Sequence, residues 1–447
     1  MDVRTAERLF LAACMLLVIG AFTFQLAGTD PSIAVNRQDA SARGGSMTMQ
    51  LLLAICYSGS GLLLLRSNSL GQLLRRTWPI FLLPALAFLS MAWSPDPYTT
   101  FRKAIAFLGT VVLGLAIAER LSYDGAIRLI AQVTLACVVF SVLWVFLFPH
   151  FAVHQVTDAW PYQKVHAGSW RGIFAHRTML GYVAGLAFAL IVYYGPLVAP
   201  QRLVRLVLIA LSAVCLIKAN SGGGMLTAVG VLGLLYFFGG ISSLDRRSRV
   251  AMILLMAVFT LAVGFFADAI MGAVLELLGK QPDLTGRLPY WQNLLDILNE
   301  RPFLGYGYYA GFAYEVGIRL AQTTGTNFSS THNGYLSVIA SFGYVGLAAA
   351  LFMLGWLGFK SFRVITLAPQ QVARFAVFPM VVVVYALGAN MIEDSLSSEN
   401  DMVVLLLAVV GGLVSKGIPV PRRRASPVIQ VPGRGTITLA GIGRARA

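Results

Sequence analysis

Charge is scarce in this chain. Only 12% of its residues are Asp, Glu, Lys or Arg, against 57% that are hydrophobic, and the acids number just 19 in 447. A mean hydropathy of +0.74 lies outside the range of soluble domains. Cysteine is scarcer still. Cys14, Cys56, Cys137 and Cys215 each fall inside an apolar run, which excludes a zinc site with metal-ligand spacing and argues against a disulfide framework. They read as small packing residues. The apolar runs lack the alternating polarity of barrel strands. What is present is a series of apolar runs of about 16–23 residues, with the charges gathered in short clusters between them. At 1.5 Å rise per residue such runs cross a hydrocarbon core of roughly 30 Å. Backbone groups in lipid must pair internally, so the runs are helices.

The expected fold is therefore all-α, a polytopic membrane protein of about 12 spans: 9–26, 48–65, 78–93, 102–118, 126–148, 179–195, 203–218, 225–239, 250–267, 335–357, 374–391 and 402–416. The first run follows Arg4 and Arg8 without a small-residue cleavage site, and reads as a retained helix rather than a signal peptide. Twelve spans put both termini on one side. With the termini cytoplasmic, 22 of the 34 basic residues lie inside, as the positive-inside rule demands. The last short outer turn then carries Glu393, Asp394, Glu399 and Asp401. The net charge of +15 reflects this bias plus a basic tail, and does not imply a nucleic-acid partner. Residues 1–416 read as one transmembrane unit. The Pro/Gly/Arg-rich stretch 417–447 reads as a disordered cytoplasmic tail that touches anionic lipid headgroups.

This topology puts all five histidines outside or at the outer boundary, and leaves two outer segments, 149–177 and 268–334, to carry a site. His150, His154 and His166 read as ordinary surface-loop residues. The larger segment holds an amphipathic helix capped by Thr285, with Pro289 in its first turn and Pro302 beyond its end. Trp291, Leu294, Leu295 and Leu298 share one face, while Gln292, Asn293, Asp296, Asn299 and Glu300 face water. Arg287 at its start adds directed donors for an anionic ligand. Next comes Arg301-Pro-Phe-Leu-Gly-Tyr-Gly307, a glycine turn followed by aromatics. Aromatics at a membrane surface serve as interfacial anchors; stacking on sugar is the alternative, with Tyr306, Tyr308 and Trp291 as its candidates. Finally, polar residues 329–333 precede an apolar helix with glycines at 343 and 346. The expected span at 335–357 starts there.

His332-Asn333, nine residues, then Gly343-x-x-Gly346 resembles the signature of the O-antigen ligase and polysaccharide polymerase superfamily. Two further blocks look similar: Thr285-Gly-Arg-Leu with Trp291 and Arg301-Pro-x-x-Gly-x-Gly307, and Trp170-Arg-Gly-Ile-Phe-Ala-His-Arg-Thr-Met-Leu-Gly181. The resemblance is strongest over 165–350. One departure stands out: Gly222 occupies the place where members often carry an arginine before the eighth span.

The resemblance implies a GT-C-like membrane glycosyltransferase. It would be metal-independent, inverting and without cofactor, and would act on undecaprenyl-pyrophosphate-linked glycan at the periplasmic face. His332 resembles the catalytic histidine, with Asn333 beside it, and Arg287 resembles a pyrophosphate-binding arginine. Arg171, Arg177 and Lys218 are further candidates to hold the diphosphate. The Trp93-Ser-Pro-Asp-Pro and Trp170 blocks look like exopolysaccharide polymerases, so polymerisation of repeat units onto an acceptor glycan is the leading expectation. Transfer to lipid A–core, by a ligase, is the alternative. A flippase and a chain-length regulator are the expected partners besides the inner-membrane lipid. A transporter, the reading from another class, is disfavoured because the spans hold almost no charge and the long segment does not lie midway.

Overall fold

The computed structural model describes residues 3–27, 46–156, 158, 164–265, 287–325, 330–416, 428–430 and 436–438. Its helices in chain order are α1 (Val3–Val18), α2 (Met47–Leu65), α3 (Leu70–Thr77), α4 (Leu82–Leu89), α5 (Pro97–Arg120), α6 (Tyr123–Leu147), α7 (Arg177–Tyr193), α8 (Arg202–Ala219), α9 (Gly222–Ser243) and α10 (Arg246–Phe265). They continue with α11 (Arg287–Leu298), α12 (Gly317–Thr324), α13 (Gly334–Leu367), α14 (Val377–Ala389) and α15 (Met402–Ser415). Among the described residues, seven segments are long and apolar enough to cross a membrane: 47–65, 70–92, 97–120, 123–147, 222–243, 334–367 and 370–389. The other five expected runs coincide with α1, α7, α8, α10 and α15, helical but short of that test or more charged. The protein is a multi-pass helical membrane protein. In the tail, 428–430 pairs antiparallel with 436–438; the rest of 417–447 lies outside the described residues.

Helix starts follow local chemistry. Asp96 accepts from the Thr99 N–H, with Pro97 next, at the head of α5. Ser122, Ser221 and Asp401 cap α6, α9 and α15 the same way. Three expected spans are not continuous. The first run breaks after α1, where Gly20 and Phe22 take positive φ, and resumes at 23–27. The third begins at Leu70 and passes through 3-10 turns at 78–81 and 90–92, with Pro79 and Pro84 removing backbone donors. The tenth extends to Leu367 but is broken at Gly343.

Small residues bring spans together. A Cβ on Gly181 would lie 2.6 Å from Ser221, and one on Gly185 would lie 2.5 Å from the Gly224 carbonyl. The backbones of α7 and α9 touch there, as small-residue interfaces in lipid allow. Gly114 of α5 meets Ala408 of α15 in the same manner.

The break at Gly343 positions the end of the bundle that carries His332. Its φ of +63° ends the helical hydrogen-bond ladder, leaving carbonyls before it and N–H groups after it without helical partners. The Pro302–Gly307 loop threads into that gap. Tyr306 N–H donates to the Ala340 carbonyl (2.8 Å) and Gly307 N–H to that of Ser341 (3.1 Å). In return Tyr344 N–H donates to Pro302 (2.7 Å) and Val345 N–H to Phe303 (3.3 Å). Irregular backbone at membrane depth is tolerable only when protein satisfies it in this way. The half-helix 334–342 has one side in a small outer core with Tyr290, Leu294, Ile297, Tyr306, Val316 and Leu320, and its other side, through Val338 and Phe342, in the main bundle core.

A Cβ on Gly343 would stand 2.3 Å from the Phe303 carbonyl, at a φ that disfavours any side chain. Gly343→Ala is therefore expected to cost about 3 kcal/mol or more, seen as a lowered thermal midpoint of the purified protein. Gly355→Ala, where a Cβ meets nothing within 4 Å, should leave the midpoint unchanged or raise it slightly.

Candidate functional site

The turn that the interlock supports carries His332. Its φ is +50°, a left-handed conformation that costs of order 1 kcal/mol and persists when the surroundings impose it. They do so from three sides. Tyr290 of α11 donates its hydroxyl to the Ser330 carbonyl (2.7 Å), and Trp291 donates its indole N–H to the Thr331 carbonyl (3.1 Å). The Thr331 hydroxyl donates to the Asn333 carbonyl (2.7 Å). Asn333, buried, accepts from the N–H groups of Tyr335 (3.0 Å) and Leu336 (3.1 Å) and donates to the Met391 carbonyl (3.4 Å). Gly334 N–H donates to the Asn390 carbonyl (2.8 Å), and a Cβ there would lie 1.9 Å from the Asn390 amide oxygen. The imidazole, half-buried, sits on this fixed turn.

The first four N–H groups of α13 are all engaged: Gly334 with Asn390, Tyr335 and Leu336 with the Asn333 side chain, and Ser337 with the Asn333 carbonyl. This helix end offers no donor to an anion, so any diphosphate nearby must be met by side-chain cations. Arg287 opens α11, three residues before Tyr290; its side chain, and the expected Thr285 cap, lie outside what the structure describes.

The acidic turn 391–401, read from the sequence only for topology, packs directly behind the histidine. Asn390 organises it by accepting from the N–H groups of Ser395 (3.1 Å) and Leu396 (2.8 Å). Tyr182 of α7 donates to Glu393 (2.8 Å). Lys103 of α5 pairs with Glu399 at 2.5 Å while resting 4.0 Å from the Tyr309 ring centre. Burial pushes the Asp401 carboxyl up to about 7, and neighbouring Asp394 adds like-charge repulsion. Tyr182, Lys103, Asn390, Glu393 and Glu399 are thus site neighbours that sequence reasoning missed. The available signal was the concentration of four acids within nine residues of an acid-poor chain.

Several expected ligands are placed elsewhere. Tyr306 is 1% exposed, and its hydroxyl donates to the Ile297 carbonyl (2.6 Å). Tyr308 is 2% exposed, stacked on Phe107 and Phe342, with its hydroxyl on Glu399 (3.2 Å). Neither presents a ring to a sugar, because the loop that carries them is inserted into the protein. Trp291 is half-buried and committed by its indole N–H to the histidine turn. The buried face of α11 is Tyr290, Leu294, Ile297 and Leu298, whereas Leu295, expected on it, is 37% exposed.

Arg171 is also a correction. It is fully buried, with Nε on the Phe151 carbonyl (2.8 Å) and Nη1 on Asp158 (3.3 Å), so its charge is spent inside the protein. Asp158 also meets His154 Nδ1 at 3.2 Å. His154 is 1% exposed and accepts from the Arg177 N–H (3.2 Å), which corrects its reading as a surface-loop residue. Burial first, then Arg171, lowers its pKa to about 4. His154, His166 and His176 touch edge to face with ring centres 5.1–6.1 Å apart. No group of three or more His, Cys, Asp or Glu among the described residues is set to hold a metal ion. Arg177 reaches the carbonyls of Ala219 and Asn220 at the turn between α8 and α9, with its Nε still unbonded. Lys218 is exposed at the same turn, and its carbonyl accepts from the Trp170 N–H (2.9 Å). The structure thus brings Arg177, Lys218 and Gly222 together, and joins the α11 block to His332.

A profile of the O-antigen ligase family matches residues 206–351. That stretch contains Arg287, Trp291, the Pro302–Gly307 loop, His332 and Gly343, and excludes Arg171, Arg177 and the acidic turn. Over 292 residues the chain is 25% identical to the exopolysaccharide production protein ExoQ of Rhizobium meliloti (strain 1021). The alignment covers 62% of this chain and 63% of that protein, so under two thirds of the relative's length is matched. These similarities bear out the resemblance to the O-antigen ligase and polysaccharide polymerase superfamily.

The folded state holds His154 neutral, whereas an unfolded chain binds its proton near pH 6.5. Between about pH 6.5 and about 4 the unfolded state therefore binds more protons, and stability falls as pH falls through that window. The thermal midpoint of the wild-type protein should drop more between pH 7 and pH 5 than that of His154→Gln; equal drops would show that His154 does not carry the dependence.

Proposed function

We propose that this protein transfers a glycan from undecaprenyl pyrophosphate to a sugar hydroxyl at the periplasmic face of a bacterial inner membrane. In this reading both termini are cytoplasmic, and the product is a surface or exopolysaccharide lengthened by repeat units. The observation that supports it most is the imposed turn at His332, held by the α11 block and seated on a broken helix. A strained, over-determined polar residue on a membrane protein's outer face is what a reacting group needs, and packing alone does not call for it.

The acceptor is a neutral alcohol, and an imidazole is the side chain suited to take up its proton as general base. The acceptor oxygen attacks the anomeric carbon as the bond from that carbon to the diphosphate oxygen breaks. The proton passes to the His332 ring, and undecaprenyl pyrophosphate leaves with one additional negative charge. Attack opposite the leaving group inverts the anomeric centre. The added charge is met by Arg287 and Arg177, with Lys218 near the second of these, since guanidinium forks neutralise phosphate oxygens without a metal. Arg171 takes no part. Asn333 is a positioning residue: its amide is used in the cap that sets the turn, so it acts through His332. Recognition of the glycan by Tyr306, Tyr308 or Trp291 is not retained. A flippase that delivers the donor and a regulator of chain length would be its functional partners.

Polymerisation is favoured over ligation by the relative named for exopolysaccharide production; the ligase reading draws on the description of the matching family. The purified protein in lipid, given lipid-linked repeat units with and without lipid A–core, separates the two. A ladder of longer undecaprenyl-linked glycans without core makes it a polymerase, and transfer only when core is present makes it a ligase. His332→Ala should abolish product in either case while leaving the stability within about 1 kcal/mol of wild type. Arg287→Ala should reduce turnover at least tenfold, with Arg287→Lys recovering part of it, because lysine lacks the fork. Wild-type product from His332→Ala would remove the histidine from the mechanism.

A further inference from the structure

At the opposite end of the bundle from His332, residues of α6, α8 and the segment 198–201 line a cavity of about 580 Å³. Its walls are apolar along most of their length, through Leu135, Val139 and Phe140 of α6 and Leu208 of α8. The polar lining residues are Gln132, nine residues into α6, and Gln201, which immediately precedes α8. From Gln132 to Phe140 the groove rises eight residues, about 12 Å along the helix. One end is thus polar and the rest is apolar, the profile of an amphiphile.

Arginines adjoin the polar end without lining the cavity itself. Arg8 of α1 donates through Nη2 to the Gln132 side-chain carbonyl (2.7 Å), which uses one of its five N–H groups. Its neighbour Glu7 does not neutralise it, because Glu7 pairs with Arg120 at 2.6 Å. Arg128 lies one helical turn before Gln132 on the same face, and its Nε is buried without a hydrogen-bond partner. A buried, unpaired guanidinium N–H is costly unless something meets it. Arg202 and Arg205 begin α8 on the other side of the mouth, with Arg205 packed over Gly195.

We propose that this groove binds an anionic phospholipid, with its phosphate against Arg8 and Arg128 and one acyl chain laid along Leu135, Val139 and Phe140. The charge selects the headgroup, and the apolar wall excludes a free anion as the natural occupant. Basic pockets between transmembrane helices recognise anionic headgroups by this combination of charge and burial. The bound lipid would tie α1, α6 and α8 together at the face away from the reaction. The inference is independent of glycosyl transfer and requires only that the helices lie in a membrane.

The test uses the full-length protein in neutral detergent, with its thermal midpoint read by tryptophan fluorescence. The probes are short-chain phosphatidylglycerol, phosphatidylcholine of the same chain length, and inorganic phosphate. Phosphatidylglycerol should raise the wild-type midpoint by about 3 °C or more beyond phosphatidylcholine, and phosphate should have no effect. Two variants decide the site. Arg8→Gln combined with Arg128→Gln removes the charge, and Leu135→Trp fills the groove while leaving every charge in place; each should erase the preference. Equal shifts from the two lipids, an equal shift from phosphate, or a preference that survives in either variant would overturn the proposal.

Discussion

The end of the bundle that carries His332 depends on one backbone exchange: a helix broken at Gly343 and a loop that occupies the break. Four hydrogen bonds between residues 302–307 and 340–345 replace those the helix gives up. In lipid or beside it, such groups have no water to fall back on, so each unreplaced bond would cost several kcal/mol. The glycines on both sides are there for space. A Cβ on Gly305 would sit 2.7–2.8 Å from the backbone of 339–343, and one on Gly343 would sit 2.3 Å from Phe303. The two sequence blocks that look like separate motifs are the two halves of this joint.

Once the joint is closed, the direction of the half-helix 334–342 is fixed, and with it the turn that precedes it. That half-helix faces both the bundle core and the outer core, so it cannot shift against one without disturbing the other. The acidic turn completes the enclosure. Through Asn390 and Met391 it holds Gly334 and Asn333, through Glu393 it meets α7, and through Glu399 and Asn400 it is anchored to α5 and α2. The spans α2, α5, α7 and α13, far apart in sequence, therefore converge on this one turn. The charges in this turn are largely paired or buried, which suits a scaffold around a cation-dependent reaction better than it suits a direct contact with diphosphate.

Much of this was legible in the sequence. Apolar runs and basic clusters located a helix at each of the twelve expected spans, because length and hydropathy act locally, whereas α12 was not anticipated. Breaks were not legible: a glycine inside an apolar run reads the same whether the helix continues, as at Gly355, or ends, as at Gly343. The difference lies in what approaches it, a fact of tertiary structure. The aromatic loop failed for the same reason. Tyr306 and Tyr308 follow two glycines in a segment with every mark of a surface turn, and only its insertion into the helix break turns those rings inward. Arg171 resembled a ligand by position and side of the membrane, but a buried Asp158 lay thirteen residues away in sequence and uses its charge. His332 and Asn333 were found as a pair only through the resemblance of their spacing from Gly343-x-x-Gly346 to a family signature. Their division of labour, one fixed and one fixing, needed coordinates.

The replaced arginine near the start of α9 can now be placed in physical terms. Within 222–224, two positions are closed to any side chain: a Cβ on Gly223 would meet the Tyr182 hydroxyl at 2.2 Å, and one on Gly224 would meet Gly181 at 2.6 Å. Gly222 is open, with nothing within 4 Å of its Cβ position, so packing does not forbid a longer residue there. The chain instead brings a guanidinium to the same turn from the neighbouring helix, since Arg177 lies on the carbonyls of Ala219 and Asn220. The close approach of α7 and α9, set by Gly181, Gly185 and Gly224, makes that substitution geometrically available. Arg177 of α7 thus brings its charge to the turn before Gly222. On the proposed reading that place is the diphosphate, and the short distance between two glycine-packed backbones is what lets the function move from one helix to the next.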